Sequence, residues 1–209
     1  LGRAGFRAVN HAVPRVACFR GTEVAAHLPS LARLRIAVFR AYPYLYEGDP
    51  AYEETYLATY ARSPDSLFVL AFDGDEVVGA STGLPMADEE ETFRQPLSAH
   101  GIDADEVFYF GESVLLPQYR GLGIGHRFFD EREAHARTLG RFRWTAFAAV
   151  DRDAGDPRRP QGHRDNDTFW RARGYRRQSG MTMHLSWREI GETRESEKPL
   201  TFWLRPLET

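Results

Sequence analysis

The sequence predicts one domain of the α/β (α+β) class, in which strands and helices alternate along the chain. Three observations predict it. Apolar runs of strand length alternate with amphipathic segments of helix length, residues 73–75 (Asp-Gly-Asp) give a hairpin signal between two β-branched runs, and an apolar strand leads through three glycines into a helix at residues 114–129. With no repeat or linker in the sequence, we expect a single domain over residues 1–209, with its core at about 15–207 and an N-terminal extension over 1–14.

The first half of the chain predicts three strands and two helices. Residues 15–21 form an apolar run that closes at a glycine, which is typical of a short strand. Leucines recur at helical spacing over 23–41, which predicts a helix with a bend or break near Pro29. After a loop rich in tyrosine and proline, we expect a second helix at 51–61, and the hairpin then occupies 66–83.

The second half predicts four more strands and two more helices. Residues 85–105 are acidic and contain prolines and a glycine, which predicts an irregular insertion. The elements expected after it are a long strand at 106–116, a helix at 123–139, a strand at 143–150, a short helix "TFWRARGY" that ends at Gly174, and two last strands, "GMTMHLSW" and "LTFWLRPL".

Composition limits the classes of function. The net charge of −3 gives no basic field to attract nucleic acid or an anionic membrane. No apolar run approaches the ~20 residues that a membrane span needs. The single cysteine, Cys18, excludes an internal disulfide or a thiolate metal cluster, and the histidines lack metal-ligand spacing, so we expect no metal. These features favour a cytoplasmic protein.

The stretch "VLLPQYRGLGIGHRFF" at residues 114–129 predicts an anion site. A strand that leads through glycines into a helix points free N–H groups at one spot, and the helix dipole attracts phosphate there. Glycine allows a ligand to approach the backbone closely. The Walker and Rossmann patterns both fail, because His126 stands where each requires a glycine. The alternative is that the glycines form only a tight turn.

The segment Arg120-Gly121-Leu122-Gly123-Ile124-Gly125 fits the pattern R-x-x-G-x-G. Together with the order of elements and the helix end "FWRARGY", it resembles the signature of the GNAT superfamily of acyl-CoA N-acyltransferases, over roughly residues 15–207. The resemblance implies a mixed, mostly antiparallel sheet of about seven strands flanked by about four helices and splayed at the signature strand. It also implies acetyl-CoA as the co-substrate.

The resemblance further implies how coenzyme A (CoA) binds. The N–H groups from Gly121 to His126 would hold the pyrophosphate, helped by the charges of Arg120 and Arg127. Pantetheine would pair with the strand backbone before the turn, where an N–H would polarise the thioester carbonyl. The implied CoA-binding residues are Val114, Leu115, Leu116, Arg120, Gly121, Leu122, Gly123, Ile124, Gly125, His126, Arg127 and Trp170.

Acyl transfer to an amine needs a base, because most amines are protonated at neutral pH. Strand alternation puts Glu112 on the face of Val114, just before the expected thioester position, so Glu112 is the candidate base. The alternative is an ion pair with an arginine. Trp170 stands where the family often has the tyrosine that reprotonates the thiolate, which leaves Tyr109, Tyr175 or water as the acid. With no credible nucleophile in the sequence, we expect direct attack on the thioester.

The loop between the first two helices usually walls the acceptor pocket in this family. Here it carries Tyr42, Tyr44 and Tyr46 beside Glu47, which favours a small cationic amine. The alternative is that the tyrosines pack onto the core and the acids face solvent.

The expected function is acetyl transfer from acetyl-CoA to the primary amine of a small molecule. The alternatives are a catalytically silent CoA-binding sensor or interaction module, and a nucleotide-phosphate binder unrelated to CoA. A homodimer that exchanges the two last strands stays open.

Overall fold

The computed structural model describes residues 13–208, so most of the expected N-terminal extension lies outside the described residues. The strands are β1 (Arg15–Arg20), β2 (Leu67–Asp73), β3 (Glu76–Pro85), β4 (Val107–Tyr109), β5 (Ser113–Leu115), β6 (Trp144–Val150), β7 (Arg176–Trp187) and β8 (Ser196–Pro206). The α-helices are α1 (Leu28–Phe39), α2 (Pro50–Arg62), α3 (Glu91–Ala99), α4 (Ile124–Leu139) and α5 (Asp167–Ala172).

The strands form one sheet in the order β1-β2-β3-β4-β6-β8-β7, with β5 also paired to β3. Among the described residues β4 and β6 run parallel and the other pairs are antiparallel, which confirms the mixed, mostly antiparallel sheet. The last two strands begin four residues earlier than expected, at Arg176 and Ser196. Their first residues are charged or polar. The strand β7 lies at the sheet edge, and the first residues of β8, Ser196 to Pro199, pair only with β7 and not with β6.

Helices cover both faces of the sheet. In β2, Phe68, Leu70 and Phe72 pack into the apolar cluster that includes residues of α1 and α2. Val69 and Ala71 point the other way, into the cluster that includes residues of α4. Both faces of β2 are therefore buried, which explains why its sequence is a continuous apolar run.

Of the expected bend or break near Pro29, the structure shows a break in the helix type. A 3-10 turn over Gly21–His27 leads into α1 at Leu28. Pro29 lies in the first helical turn, where its missing N–H leaves no helix hydrogen bond unmade.

The expectation of an irregular insertion at residues 85–105 was wrong, because the segment contains α3. Phe93 and Leu97 lie four positions apart on one helix face, where Leu97 is buried and Phe93 packs beside it. Pro96 suggested a break but is accommodated inside this short helix. Packing of α3 against the sheet, including β7, outweighs the weak local helix signal.

The expectation of one strand over residues 106–116 was also wrong, because Phe110–Glu112 separate β4 from β5. A Cβ on Gly111 would lie 2.6 Å from the Tyr60 hydroxyl, so the close packing at this break requires glycine. Arg132 of α4 is buried beside it and donates hydrogen bonds of 3.1 Å to the carbonyl oxygens of Thr82 and Glu112. Thr82 N donates to Glu112 O at 3.1 Å and Gly111 N donates to Thr82 O at 3.2 Å, so two residues of this strand oppose one residue of β3. The strand is interrupted at this bulge.

The break opens the sheet. Phe110 N donates to Ala146 O at 2.7 Å, and β4 pairs with β6 up to this point. Beyond it, β5 pairs with β3, and no described strand pairs with its other edge. The splay at the signature strand is therefore confirmed.

Candidate functional site

A cleft of about 810 Å³ opens where β5 and β6 separate. Its walls come from the loop between α1 and α2, the break before β5, the first turn of α4, the end of β6, the loop between β6 and α5, and α5 itself. The volume lies within the roughly 300–1,000 Å³ typical of small-molecule sites.

The glycine turn before α4 forms one edge of the cleft. Gly121 and Gly123 both have φ of +80°, a conformation that other residues rarely adopt. The N–H of Arg127 donates to Gly123 O at 3.2 Å. The N–H groups of Ile124, Gly125 and His126 precede this bond and have no partner within the helix. Free N–H groups at the start of a 16-residue helix favour an anion.

The side chains around this turn have distinct roles in the structure. Arg120 lines the cleft and donates to Leu115 O at 3.4 Å. Arg127 pairs with Glu131 at 3.0 Å, and His126 Nδ1 lies 3.2 Å from an Arg173 nitrogen. Of the other residues expected to bind CoA, Leu115, Gly125 and Trp170 line the cleft. Leu122 is exposed outside it, and Ile124 is buried and anchors the helix.

The free edge of β5 presents different residues from those expected. Leu116 N donates to Val78 O at 3.0 Å, and Glu112 O accepts from Thr82 N at 3.1 Å. Because hydrogen bonding alternates along an antiparallel pair, Val114 also directs its backbone polar groups to β3. The N–H and C=O groups of Ser113 and Leu115 therefore face the cleft, in place of those of Val114 and Leu116.

Glu112 lies in the cleft wall and forms an ion pair with Arg35 of α1. Arg35 also pairs with Glu53 of α2, whose side chain is 1% exposed. Burial opposes the charged form of Arg35, but the nearby Glu112 and Glu53 carboxylates raise its pKa above the ordinary value. The arginine pairing that the sequence left open thus exists, and the Glu112 carboxylate still borders the cleft.

The two tyrosines named as candidate acids lie in the core. Tyr175 is fully buried, and its hydroxyl contacts Thr145 Oγ1 at 2.9 Å and Glu133 Oε1 at 3.1 Å. Tyr109 is 2% exposed and packs against Phe93 and Phe202. Neither lines the cleft. The structure therefore does not bring these two hydroxyls to the site.

Trp170 is half-buried in the cleft wall. Its ring centroid lies 4.9 Å from that of Phe147 and 5.1 Å from that of Trp203. The indole thus forms an apolar wall and brings no hydroxyl. Of the described residues, only Tyr42 and Tyr44 bring a tyrosine to the cleft.

The loop between α1 and α2 is divided between cleft and surface. Tyr42 and Tyr44 line the cleft, and Arg152 fixes this part by donating to Pro43 O at 2.6 Å and Tyr44 O at 3.1 Å. Leu45 has φ of 54° and turns the chain. Neither Tyr46 nor Glu47 lines the cleft, and Glu47 pairs with Arg40 at 3.2 Å. Glu47 therefore does not supply the carboxylate that was expected to attract a cationic amine in the cleft.

Several cleft residues gave no clear signal in the sequence. Arg35 is one of two arginines in α1, and its inward position follows from the apolar face that includes Leu31 and Leu34. Arg132 contacts the break between β4 and β5 from α4, and such a contact between distant segments leaves no local pattern in the sequence. The loop between β6 and α5 lines the cleft with His163 and other residues, and its dense arginines and aspartates were the available signal.

A buried carboxyl outside the cleft was also missed. Glu89 accepts a hydrogen bond from the Tyr60 hydroxyl and is 9% exposed. Burial raises the pKa of Glu89 to about 7, aided by the negative charge of Glu112 and opposed by the Tyr60 hydrogen bond. The folded protein therefore binds a proton at Glu89 between about pH 4.5 and pH 7 that the unfolded chain releases.

This proton makes stability depend on pH. The stabilisation by protonated Glu89 is complete below pH 4.5 and is lost as the pH rises through 7. Glutamine at position 89 cannot lose a proton, so the stability of Glu89→Gln relative to the wild type should be higher at pH 8 than at pH 5, by up to about 3 kcal/mol. Thermal unfolding at pH 5 and at pH 8 measures this difference in stability, with exposed Glu90→Gln as the matched control. An equal offset at both pH values would contradict the assignment.

A sequence profile described as the acetyltransferase (GNAT) family matches residues 31–156, more than half of the 209-residue chain. The fold and the match together define the class, and the chain belongs to the GNAT acetyltransferase family. Among curated proteins, none matches its sequence significantly.

Solved structures share the fold at low sequence identity. A GNAT phosphinothricin acetyltransferase from Sinorhizobium meliloti, in complex with acetyl-CoA, is 18% identical with a TM-score of 0.58 over 94% of this chain and 89% of that one. A ribosomal-protein-alanine N-acetyltransferase from Brucella melitensis is 18% identical with a TM-score of 0.58 over 91% and 99%. An aminoglycoside 6'-N-acetyltransferase complexed with coenzyme A is 16% identical with a TM-score of 0.58 over 93% and 98%.

The described residues hold neither a membrane-spanning helix nor a metal-ligand cluster. Residues 13–208 contain no helix that is long and apolar enough to cross a membrane. Within the same residues, no group of three or more histidine, cysteine or carboxylate side chains is placed to hold a metal ion.

Proposed function

We propose that this protein is an acyl-CoA-dependent N-acyltransferase that moves the acetyl group of acetyl-CoA to a primary amine of a small molecule. One observation carries the proposal: the glycine turn, the free edge of β5 and the Glu112 carboxylate border one cleft at the place where the sheet opens. The family match and the relatives solved with acetyl-CoA or CoA support the same reading.

The residues present suit CoA. The free N–H groups of Ile124, Gly125 and His126 would hold the pyrophosphate, with Arg120 adding charge from the cleft wall. The backbone groups of Ser113 and Leu115 would pair with the pantetheine amides in the manner of an added strand. With the pyrophosphate at the glycine turn and pantetheine along β5, the thioester at the end of pantetheine would lie near Glu112.

In the proposed reaction the neutral amine nitrogen attacks the thioester carbonyl carbon. A new C–N bond forms, the carbonyl oxygen takes up negative charge, and the N–H of Ser113 or Leu115 stabilises it. Glu112, directly or through a water molecule, accepts the proton that the amine loses. The C–S bond then breaks, and the CoA thiolate takes a proton from water, since Tyr109 and Tyr175 are buried away from the cleft.

We place the acceptor beside Tyr42 and Tyr44, which wall the cleft on the side of α1. Tyr46 and Glu47 would act on the acceptor indirectly, by shaping this loop. The relatives are named for acceptors as different as phosphinothricin, a ribosomal-protein alanine and an aminoglycoside, so the fold alone names none. We further propose a cytoplasmic protein. A homodimer would not need strand exchange, because β7 and β8 pair within the chain.

Release of free CoA thiol tests the proposal. Acetyl-CoA is incubated with the protein and a panel of amino acids, amino sugars and polyamines, and the thiol is measured against blanks that lack amine or protein. The proposed function predicts thiol release that depends on one class of amine. If CoA binds but no amine accelerates its release, the protein is the CoA-binding sensor that the sequence left as the alternative. If ATP competes with CoA for the site, the site is a general phosphate binder.

A further inference from the structure

We infer that the acceptor carries an anionic group besides its amine, as an amino acid does, and that Arg164 binds this group. The inference deepens the proposed function and rests on it. The charged side chains of the cleft wall and their partners carry it.

The described cleft wall has more arginines than carboxylates. The arginines are Arg120, Arg132, Arg152, Arg159, Arg164 and Arg177, and the carboxylates are Glu112, Asp151, Asp165 and Asp167. CoA brings its own phosphates, but Arg120 and the glycine turn lie beside the place where those phosphates would bind. Arg152 pairs with Glu189, outside the wall, at 2.6 Å, and the buried Arg132 donates to backbone oxygens. The remaining arginines of the wall differ in whether a carboxylate of the wall pairs with them.

Each carboxylate of the wall is already paired with an arginine. Glu112 pairs with Arg35, and Asp151 pairs with Arg177 at 2.7 Å. Asp165 pairs with Arg159 at 2.8 Å, and Asp167 pairs with Arg171 at 3.0 Å. A cationic acceptor would therefore have to compete with an arginine for any of them, which is a poor basis for recognition.

Arg164 differs from the other arginines of the wall. It is exposed, it borders the cleft, and within residues 13–208 it has no hydrogen bond or ion pair. Its neighbour His163 makes an edge-to-face contact with Tyr42, with ring centroids 4.8 Å apart. This contact places the Arg164 segment beside the loop between α1 and α2, where we place the acceptor.

The chemistry of the guanidinium group then selects the ligand. Arginine offers a planar fork of N–H donors that binds a carboxylate or a phosphate through two parallel hydrogen bonds. An acceptor with an amine and a carboxylate could direct its amine towards Glu112 while its carboxylate pairs with Arg164. This orientation is favoured because Arg164 has no partner, whereas every carboxylate of the wall is already paired with an arginine.

The test compares acceptors that differ in one charge. Thiol release from acetyl-CoA is measured with a panel of α-amino acids and with the primary amide of each. We expect the acids to exceed their amides in kcat/KM by at least about 10-fold, as for one charge-assisted hydrogen-bonded pair. We expect Arg164→Gln to raise the KM for the acids by a similar factor and to leave the amides unchanged.

Two further measurements make the test specific. Arg194→Gln removes the same charge at an exposed position outside the cleft and should leave every KM unchanged. Calorimetry should give the wild-type CoA affinity for Arg164→Gln, which also shows that the variant is folded. A preference for amides or diamines, or a loss of CoA affinity in place of acceptor affinity, overturns the inference while the acyltransferase assignment stands. If CoA binds and no amine of any charge is acetylated, the proposed function fails and this inference fails with it.

Discussion

Gly125→Glu is expected to abolish measurable CoA binding or to weaken it by about 10²-fold or more, while the protein stays folded. The backbone at Gly125 has no positive φ, and an added Cβ would meet only the ring of Phe169 at 3.7 Å. A larger side chain therefore fits the helix but enters the cleft. A carboxylate there would repel the pyrophosphate and block the N–H groups, and each lost bond to a charged group costs about 1.5–3 kcal/mol.

Two controls at the same position separate the causes. Gly125→Ala adds one methyl group, and its CoA affinity should stay within a few-fold of the wild type. Gly125→Gln adds the same bulk as glutamate without charge and should fall between the two. Titration calorimetry with CoA measures all three variants, and thermal unfolding confirms that they fold. If Gly125→Glu bound CoA as the wild type does, the glycine turn would not be the phosphate site.

Glu112→Gln is expected to lower turnover at neutral pH by about 10²-fold, with partial recovery at high pH. The variant keeps the shape of the side chain but cannot accept a proton. Raising the pH supplies more neutral amine and so partly replaces the base. CoA affinity should change little, because Glu112 lies beyond the glycine turn. The pH dependence of kcat/KM, measured with the best acceptor of the amine panel, provides the test.

The structure supplies a matched control in Glu53. Both carboxylates pair with Arg35, but Glu53 is buried in α2 and does not line the cleft. Removing either charge leaves Arg35 with one partner, so both variants should lose a comparable amount of stability. Only Glu112→Gln should change the pH profile of turnover. If Glu53→Gln reproduced the loss and the profile, Glu112 would serve to hold Arg35 and not as a base.

Much of the fold was predictable because its signals are local. The hairpin at residues 73–75 and the break near Pro29 depend on turn and proline chemistry. Helix α3 was missed because its apolar face holds few residues and contains Pro96, so packing decides it. The long strand was broken because Tyr60 and Arg132, both distant in sequence, pack closely against it at Gly111 and Glu112. The only local signal of this break was Gly111 itself, since a glycine inside a strand pattern often marks a bulge.

In the candidate site, too, the features with a local sequence pattern were predicted and those set by distant contacts were not. The glycine turn was predicted because three glycines within five residues have few other uses. The placement of Glu112 on the Val114 face follows from the period of a strand, and the structure places Glu112 and Val114 accordingly, towards α1. Its partner Arg35 and the free Arg164 could not be identified, since the sequence does not say which arginine of a helix points inward or which one of a loop stays unpaired.

The central claim is that acetyl moves from CoA to an amine in this cleft, and transfer of an isotope-labelled acetyl group tests it most directly. The protein is mixed with labelled acetyl-CoA and the best acceptor of the panel, and mass spectrometry follows the label in the acceptor and in the protein. The account predicts that label appears on the amine nitrogen in step with free CoA and that none is held covalently by the wild-type protein. Binding of acetyl-CoA without label in any amine, or label first attached to the protein, would contradict it.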